Sequence, residues 1–323
     1  MSEAMAARTL RHRSIALLSY DGAPFHVRGS MAASLHDLLA ALERDRSLDA
    51  PDRLRERIEA LDRLDASPAG NATHAGGAAS GDTAATHLRA RVLHARLESA
   101  NRRLYDEIRM AIRRGAGRET LLRWARALAD AEPMNGSARG DSYDALDELV
   151  SGVLRLEAPE TEVAAPPNGM VFYQPTPARH IFALIERAAL TGRDVLVDLG
   201  AGLGHVPLLA AICAGARGIG IEREAVYVAS ARRCAEALNL THVAFLEQDA
   251  RDADLSKGTV FYLYTPFTGG ILRAVLDALR REAEGRAIRV CTFGPCTPVV
   301  AAEPWLAADD ATSIDTLALF RSR

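Results

Sequence analysis

The stretch VLVDLGAGLGHVPLLA, Val195 to Ala210, constrains this chain more than any other. An apolar run ends in an acid, Asp198, passes through three glycines at alternate positions, Gly200, Gly202 and Gly204, and continues as a second apolar run. Glycines at that density suit a tight strand-to-helix turn, where the backbone must bend sharply and a ligand must approach without a Cβ in the way. Strand, glycine turn and helix in that order open a doubly wound α/β sheet, and such sheets bind ligands at the carboxyl ends of their strands.

The sequence around it keeps the same alternation. From Met170 onward, DVLVDLG, ARGIGIE, VAFLEQD, TVFYLYTPF and AIRVCTFG read as strands, with helical patterns between them, apart from the direct step from the third strand to the fourth. The terminal DTLALFRSR is predicted to add a closing edge strand. Thr176 and Pro177 look like an N-cap and first helical residue, ahead of a face formed by Ile181, Leu184, Ile185 and Ala188. Residues 170–323 are therefore predicted to be an α/β, mostly parallel, Rossmann-like domain.

The first half reads differently. An Asp21-Gly22 turn between apolar runs predicts a small hairpin near 14–28. Leucines and isoleucines at helical spacing then dominate, interrupted by a small-residue linker over 66–86, with a long helix resuming near His87. A mainly α-helical N-terminal domain over 1–157 and a linker over 158–169 follow from this pattern.

The net charge of −3 gives no global attraction for nucleic acid or anionic membrane. One local exception runs from Arg89 to Arg126, where arginines outnumber acids in a chain whose one lysine is Lys257. No apolar run reaches the roughly 18 residues of a membrane span, and the first residues lack a secretory apolar core, so a cytoplasmic location is expected. Cys213, Cys234, Cys291 and Cys296 match no zinc or redox spacing and read as core residues, so no metal is expected.

A glycine turn also serves dinucleotide enzymes, but their G-x-G-x-x-G pattern needs glycine or alanine where this chain has His205. The pattern D-x-G-x-G-x-G resembles motif I of the class I S-adenosylmethionine-dependent methyltransferases. The resemblance implies S-adenosylmethionine as cofactor, bound by Asp198, Gly200, Ala201, Gly202 and Gly204. It also implies that Glu222, ending GIGIE, accepts hydrogen bonds from the ribose hydroxyls, and that Asp249 with Ala250 lies beside the adenine. The alternative reading of Asp249 is an N-cap for the next helix. Thr176 is a further candidate for the cofactor pocket.

The block from Tyr173 to about Phe293 is also similar to the non-SET histone-lysine methyltransferases named for disruption of telomeric silencing, although YTPF replaces their asparagine-rich segment. In this superfamily the loop after the fourth strand faces the methyl group. The resemblance makes Tyr264, Thr265, Pro266 and Phe267, with Tyr173 from the preceding segment, the candidate catalytic wall. Nothing in that loop is an obvious base, which favours an amine of a protein or small molecule as acceptor. His180 is expected on a helix surface and His205 toward solvent. The competing readings are an RNA methyltransferase gripping phosphates through Arg89–Arg126, a non-catalytic cofactor-binding interaction protein, and, least favoured, an NAD-dependent dehydrogenase.

Overall fold

The computed structural model describes residues 35–67, 81–129, 142–157, 169–171 and 173–323. The chain divides into two compact units, with the boundary in sequence after Arg44. Of the first, only helix α1 (Leu35–Arg44) is described, with Leu38, Leu39 and Leu42 buried. The hairpin expected near 14–28 lies outside the described residues, as do the linker residues 68–80 and 158–168.

The second unit is built on a seven-stranded sheet: β1 (Val195–Leu199), β2 (Arg217–Glu222), β3 (Val243–Glu247), β4 (Val260–Tyr264), β5 (Arg289–Phe293), β6 (Leu306–Ala308) and β7 (Ala318–Ser322). Its order is β3-β2-β1-β4-β5-β7-β6. The first five strands are parallel, and β7 runs antiparallel between β5 and β6. The terminal segment is thus internal, contrary to the expected edge strand. The edge is the three-residue β6, whose LAA is too short to carry a period-two signal.

Side chains alternate between the faces. Leu196, Val260, Tyr262, Cys291 and Leu319 join one core, and Val197, Leu199, Phe261, Leu263, Val290 and Phe320 join the other. On the second face lie α9 (Gly269–Gly285) and α10 (Thr297–Ala301). On the first lie α6 (Ala178–Arg187), α7 (His205–Ala214) and α8 (Ala225–Ala237).

The helices that precede the sheet in sequence extend the first core. They are α2 (Leu54–Asp65), α3 (Gly81–Arg113), α4 (Gly117–Ala129) and α5 (Ala145–Leu154). Helix α7, HVPLLAAICA, shows why they are needed: every residue from Val206 to Ala214 is buried, because β1 and β2 cover one side while α4 and α6 cover the other. A helix that is apolar all round must be enclosed, and Leu121, Ala125 and Leu128 of α4 supply that outer layer. Helix α3 begins at Gly81, so residues 81–86, expected in the linker, are helical. Ala84 and Ala85 are strong helix formers and impose no break there.

Candidate active site

The carboxyl ends of β1 and β2 shape the first half of the site. Gly200 and Gly202 have φ of +89° and +52°, which suits glycine. Space also forbids a side chain at either position. A Cβ on Gly200 would sit 2.2 Å from the Pro266 Cβ, and one on Gly202 would sit 2.0 Å from the Tyr173 ring. The N–H groups of Gly200 and Ala201 both donate to the Ile221 carbonyl at 2.9 Å, which fastens the loop to β2. Gly204 opens α7 against the ring of Phe245, where a Cβ would come within 2.4 Å.

Glu222, at the tip of β2, turns its carboxylate back toward this loop. It accepts from the Gly202 N–H at 2.8 Å, and from the N–H groups of Arg223 and Glu224 at 2.7 and 2.9 Å. Asp198, one strand over, is 4% exposed and pairs across the ladder with Tyr262. Its carboxylate takes no hydrogen bond from any described residue, and burial, reinforced by the charge of Glu222, holds its pKa well above the usual carboxylate range. A buried carboxylate without a donor is costly, so this position suits a ligand that brings one. Asp249 caps the short turn Ala250–Asp252 by accepting from the Arg251 N–H, and its carboxylate binds the Arg251 guanidinium at 2.8 and 3.0 Å. That pairing lowers its pKa. Ala250 is buried beneath it.

The tip of β4 forms the second half. Thr265 has φ of +40°, an unusual conformation for a β-branched residue, and its side chain is engaged twice. The hydroxyl donates to the Phe293 carbonyl at 3.1 Å and accepts from the Cys296 N–H at 3.0 Å. The Tyr264 ring lies 4.6 Å from that of Phe293. Pro266 packs on Gly200, and Phe267, 2% exposed, belongs to the core beneath α9.

The segment before α6 docks on this loop. Val171 N–H donates to the Pro266 carbonyl at 3.3 Å, and Thr268 N–H donates to the Gly169 carbonyl at 2.7 Å. Tyr173 then lies over Gly202, its ring 4.9 Å from that of Tyr227 and its hydroxyl 3.3 Å from His205 Nδ1. Burial raises the Tyr173 pKa well above its usual value and lowers that of His205 to about 4. His205 is therefore partly buried against Tyr173, and the expectation that it faces solvent does not hold. His180 is buried too, with its ring 4.2 Å from that of Phe293, because β5 ends in an aromatic partner that helix periodicity could not reveal.

Thr176 is not the N-cap of α6. The cap position is Pro177, and the Thr176 hydroxyl pairs instead with that of Tyr262 at 3.0 Å. The α6 N-terminus is served from another helix: Asp147 of α5 accepts from the Ala178 N–H at 2.7 Å and from the Asp144 N–H at 2.8 Å. Tyr143 adds a hydrogen bond to the Pro175 carbonyl at 2.7 Å. Burial raises the Asp147 pKa to about 7. The i, i+3 spacing of Asp144 and Asp147 marks a capping box in the sequence, but its second use on α6 depends on tertiary packing.

The structure thus brings together Asp198, Gly200, Gly202, Glu222, Tyr173 and Pro266, with Asp249 at the neighbouring strand tip. Beyond the β4 loop, and missed by sequence reasoning, a groove of about 300 Å³ is lined by Thr268, Leu272, Arg273, Pro295, Cys296 and Val299 among others. Thr268 lines the groove while Pro266, two residues earlier, touches the glycine loop. The β4 loop therefore lies between the glycine loop and that groove.

The residues fit S-adenosylmethionine on two counts: Asp198 offers a buried acceptor without a donor, and Glu222 offers a carboxylate anchored at the glycine loop. Among the described residues no group of His, Cys, Asp and Glu is arranged to hold a metal ion, and no helix is long and apolar enough to cross a membrane.

No known family profile matches the sequence, and neither does any curated protein. Among solved structures, the chain is similar to an RNA methyltransferase from Salinibacter ruber in complex with S-adenosyl-L-homocysteine, at 28% identity over 46% of this chain and 92% of that one, with a TM-score of 0.38. It is similar to the putative methyltransferase yhhF from Escherichia coli, at 15% identity over 48% and 90%, with a TM-score of 0.38. It is also similar to a precorrin-6y C5,15-methyltransferase from Geobacter metallireducens, at 19% identity over 48% and 93%, with a TM-score of 0.37. What identifies the fold in this chain is its own strand order, with the reversed β7 and the glycine loop after β1: this is the class I methyltransferase fold.

Proposed function

We propose that this chain, which carries the fold and glycine loop of the class I S-adenosylmethionine-dependent methyltransferases, transfers a methyl group to a nitrogen, an amine on a protein or small molecule. The cofactor, when bound, supplies a methyl group already activated on a sulfonium, so the protein's part is binding and orientation. Glu222, fixed by three backbone N–H groups, presents its carboxylate to the ribose hydroxyls. Asp198 offers a buried acceptor to a donor of the cofactor, and Gly200 and Gly202 allow close approach. Asp249 stands at the adenine end.

The observation that carries the nitrogen assignment is the chemistry of the β4 tip. The Thr265 hydroxyl is committed to the backbone, Pro266 has no N–H, its carbonyl accepts from Val171, and Phe267 is buried. His205, with a pKa of about 4, is a weak base that already faces the Tyr173 hydroxyl. A hydroxyl acceptor would need a base to remove its proton. An amine needs only to be neutral, which at pH 7 costs a lysine-type group about 4–5 kcal/mol, and burial beside aromatic rings reduces that cost. Tyr264 and Tyr173 supply that aromatic surface.

The test is to incubate the protein with methyl-labelled S-adenosylmethionine and fractionated lysate, then treat the labelled product with mild alkali. Transfer to nitrogen predicts label that withstands alkali. Label released as a carboxyl ester, or alkali-stable label recovered as an O-methyl ether after complete hydrolysis, would contradict the assignment.

A further inference from the structure

The corner between α3 and α4 carries arginine side chains that no described residue pairs. Arg113, Arg114, Arg118, Arg123 and Arg126 are all exposed, and none of their side chains makes a hydrogen bond or ion pair with any described residue. Several arginines around the sheet, by contrast, are tied down: Arg187 to Asp310 and the Leu317 carbonyl, Arg273 to Glu303, Arg286 to Glu282 and the Leu255 carbonyl, Arg321 to Asp309. From 113 to 126, five arginines face one glutamate, Glu119, in a chain whose net charge is −3.

Helix electrostatics account for part of this. Arg113 ends α3 and Arg114 follows it, where the helix dipole favours a cation, and Arg126 lies in the last turn of α4. Arg118 lies in the first turn of α4, where the same dipole opposes it. The apolar side of α4 is spent inward, with Leu121, Ala125 and Leu128 in the core and Leu122 and Trp124 packed against it. Outward, Arg118, Glu119, Leu122, Arg123 and Arg126 line a hollow of about 420 Å³.

From this arrangement we infer that the α3–α4 corner is a docking surface for single-stranded RNA, gripped by its phosphates. Guanidinium forks match phosphate oxygens in pairs. A protein partner would call for apolar or aromatic anchors at the centre of its interface, and a membrane would call for an outward apolar face. No exposed large apolar side chain lies between 113 and 126. The cations also sit on both sides of the bend at Gly115, whose φ is +80°. A flexible strand can follow that bend, whereas a straight duplex would meet one arm of it. The inference goes beyond methyl transfer and does not depend on it.

The test uses the full chain and a fluorescently labelled single-stranded RNA of mixed sequence, with binding followed by anisotropy from 50 to 200 mM KCl. Five phosphate contacts predict a slope of log affinity against log salt near −3.5, or about a 100-fold loss across that range. The triple variant Arg118→Gln, Arg123→Gln, Arg126→Gln should shift that slope by about 2 toward zero, with an unchanged melting temperature. The double variant Arg113→Gln, Arg114→Gln should shift it by less. Absence of RNA binding at 50 mM salt, or equal affinity and slope in the triple variant, would overturn the inference. So would preferential, arginine-dependent binding to an acidic peptide or to vesicles of anionic lipid. S-adenosylhomocysteine binding, measured on the same samples, keeps the two readings apart: RNA binding with the expected slope but no cofactor binding upholds the docking surface and removes methyl transfer.

Discussion

At the tip of β1, Asp198 holds a buried carboxylate that takes no hydrogen bond from any described residue. On the adjacent strand, the tip of β4 leaves almost nothing spare: the Thr265 hydroxyl is used twice and Phe267 is sealed in the core. The two tips are neighbours in the ladder, with Asp198 opposite Tyr262. The first stores unmet polar capacity, as a ligand site does, and the second invests its side chains in the shape of its own loop. Residues at the first tip should therefore govern binding with little effect on stability, and residues at the second should govern stability.

The sharpest way to break this contrast is Phe267→Ala. Truncating a buried phenylalanine costs about 3–5 kcal/mol, so the melting temperature should drop steeply by calorimetry. A variant as stable as the wild type but inactive would place Phe267 in direct contact with substrate instead.

Next in size is Asp198→Asn. It should weaken S-adenosylhomocysteine at least about tenfold, or roughly 1.4 kcal/mol, while the melting temperature holds or rises, because a group whose burial disfavours its charged form is replaced by a neutral amide. A fall in both would mean that Asp198 is structural.

Thr265→Val removes a hydroxyl that satisfies two backbone groups and should cost about 1–3 kcal/mol by denaturant titration. Thr265→Ser, which keeps the hydroxyl, should recover most of that loss.

The smallest expected effect is that of pH. His205 has a folded pKa of about 4, below the ordinary 6.5, so it favours the fold above pH 6.5 and that contribution is lost as pH falls toward 4. At pH 5 the loss should be about 1–2 kcal/mol, and His205→Gln should remove it. Asp147 acts oppositely: its folded pKa is raised to about 7, so its contribution is complete below 3.8 and lost as pH rises toward 7. Melting curves of the single variants across that range separate the two.

The glycine turn and the acids at the strand tips were legible because their signal is local. Asp198 and Gly200 to Gly204 lie within seven residues, and the chemistry of a tight turn selects them. The enclosure of α7 was legible in principle too, since a helix with no polar face must be covered twice. The second partner of Asp147, 31 positions away at Ala178, was not legible, nor was that of Thr176, 86 positions away at Tyr262. Such pairs are fixed by packing between elements that give no sign of each other in sequence. Phe267 illustrates the same limit, because whether an aromatic at a strand end faces a ligand or the core is decided by the helix above it.

The central claim is that the tips of β1 and β2 hold S-adenosylmethionine. Calorimetric titration of S-adenosylhomocysteine into the wild type and into Glu222→Gln tests it most directly. One site per chain is predicted, at least about tenfold weaker in the variant, with no heat from NAD in either. Equal affinities in the two proteins, or binding of NAD in place of S-adenosylhomocysteine, would contradict it.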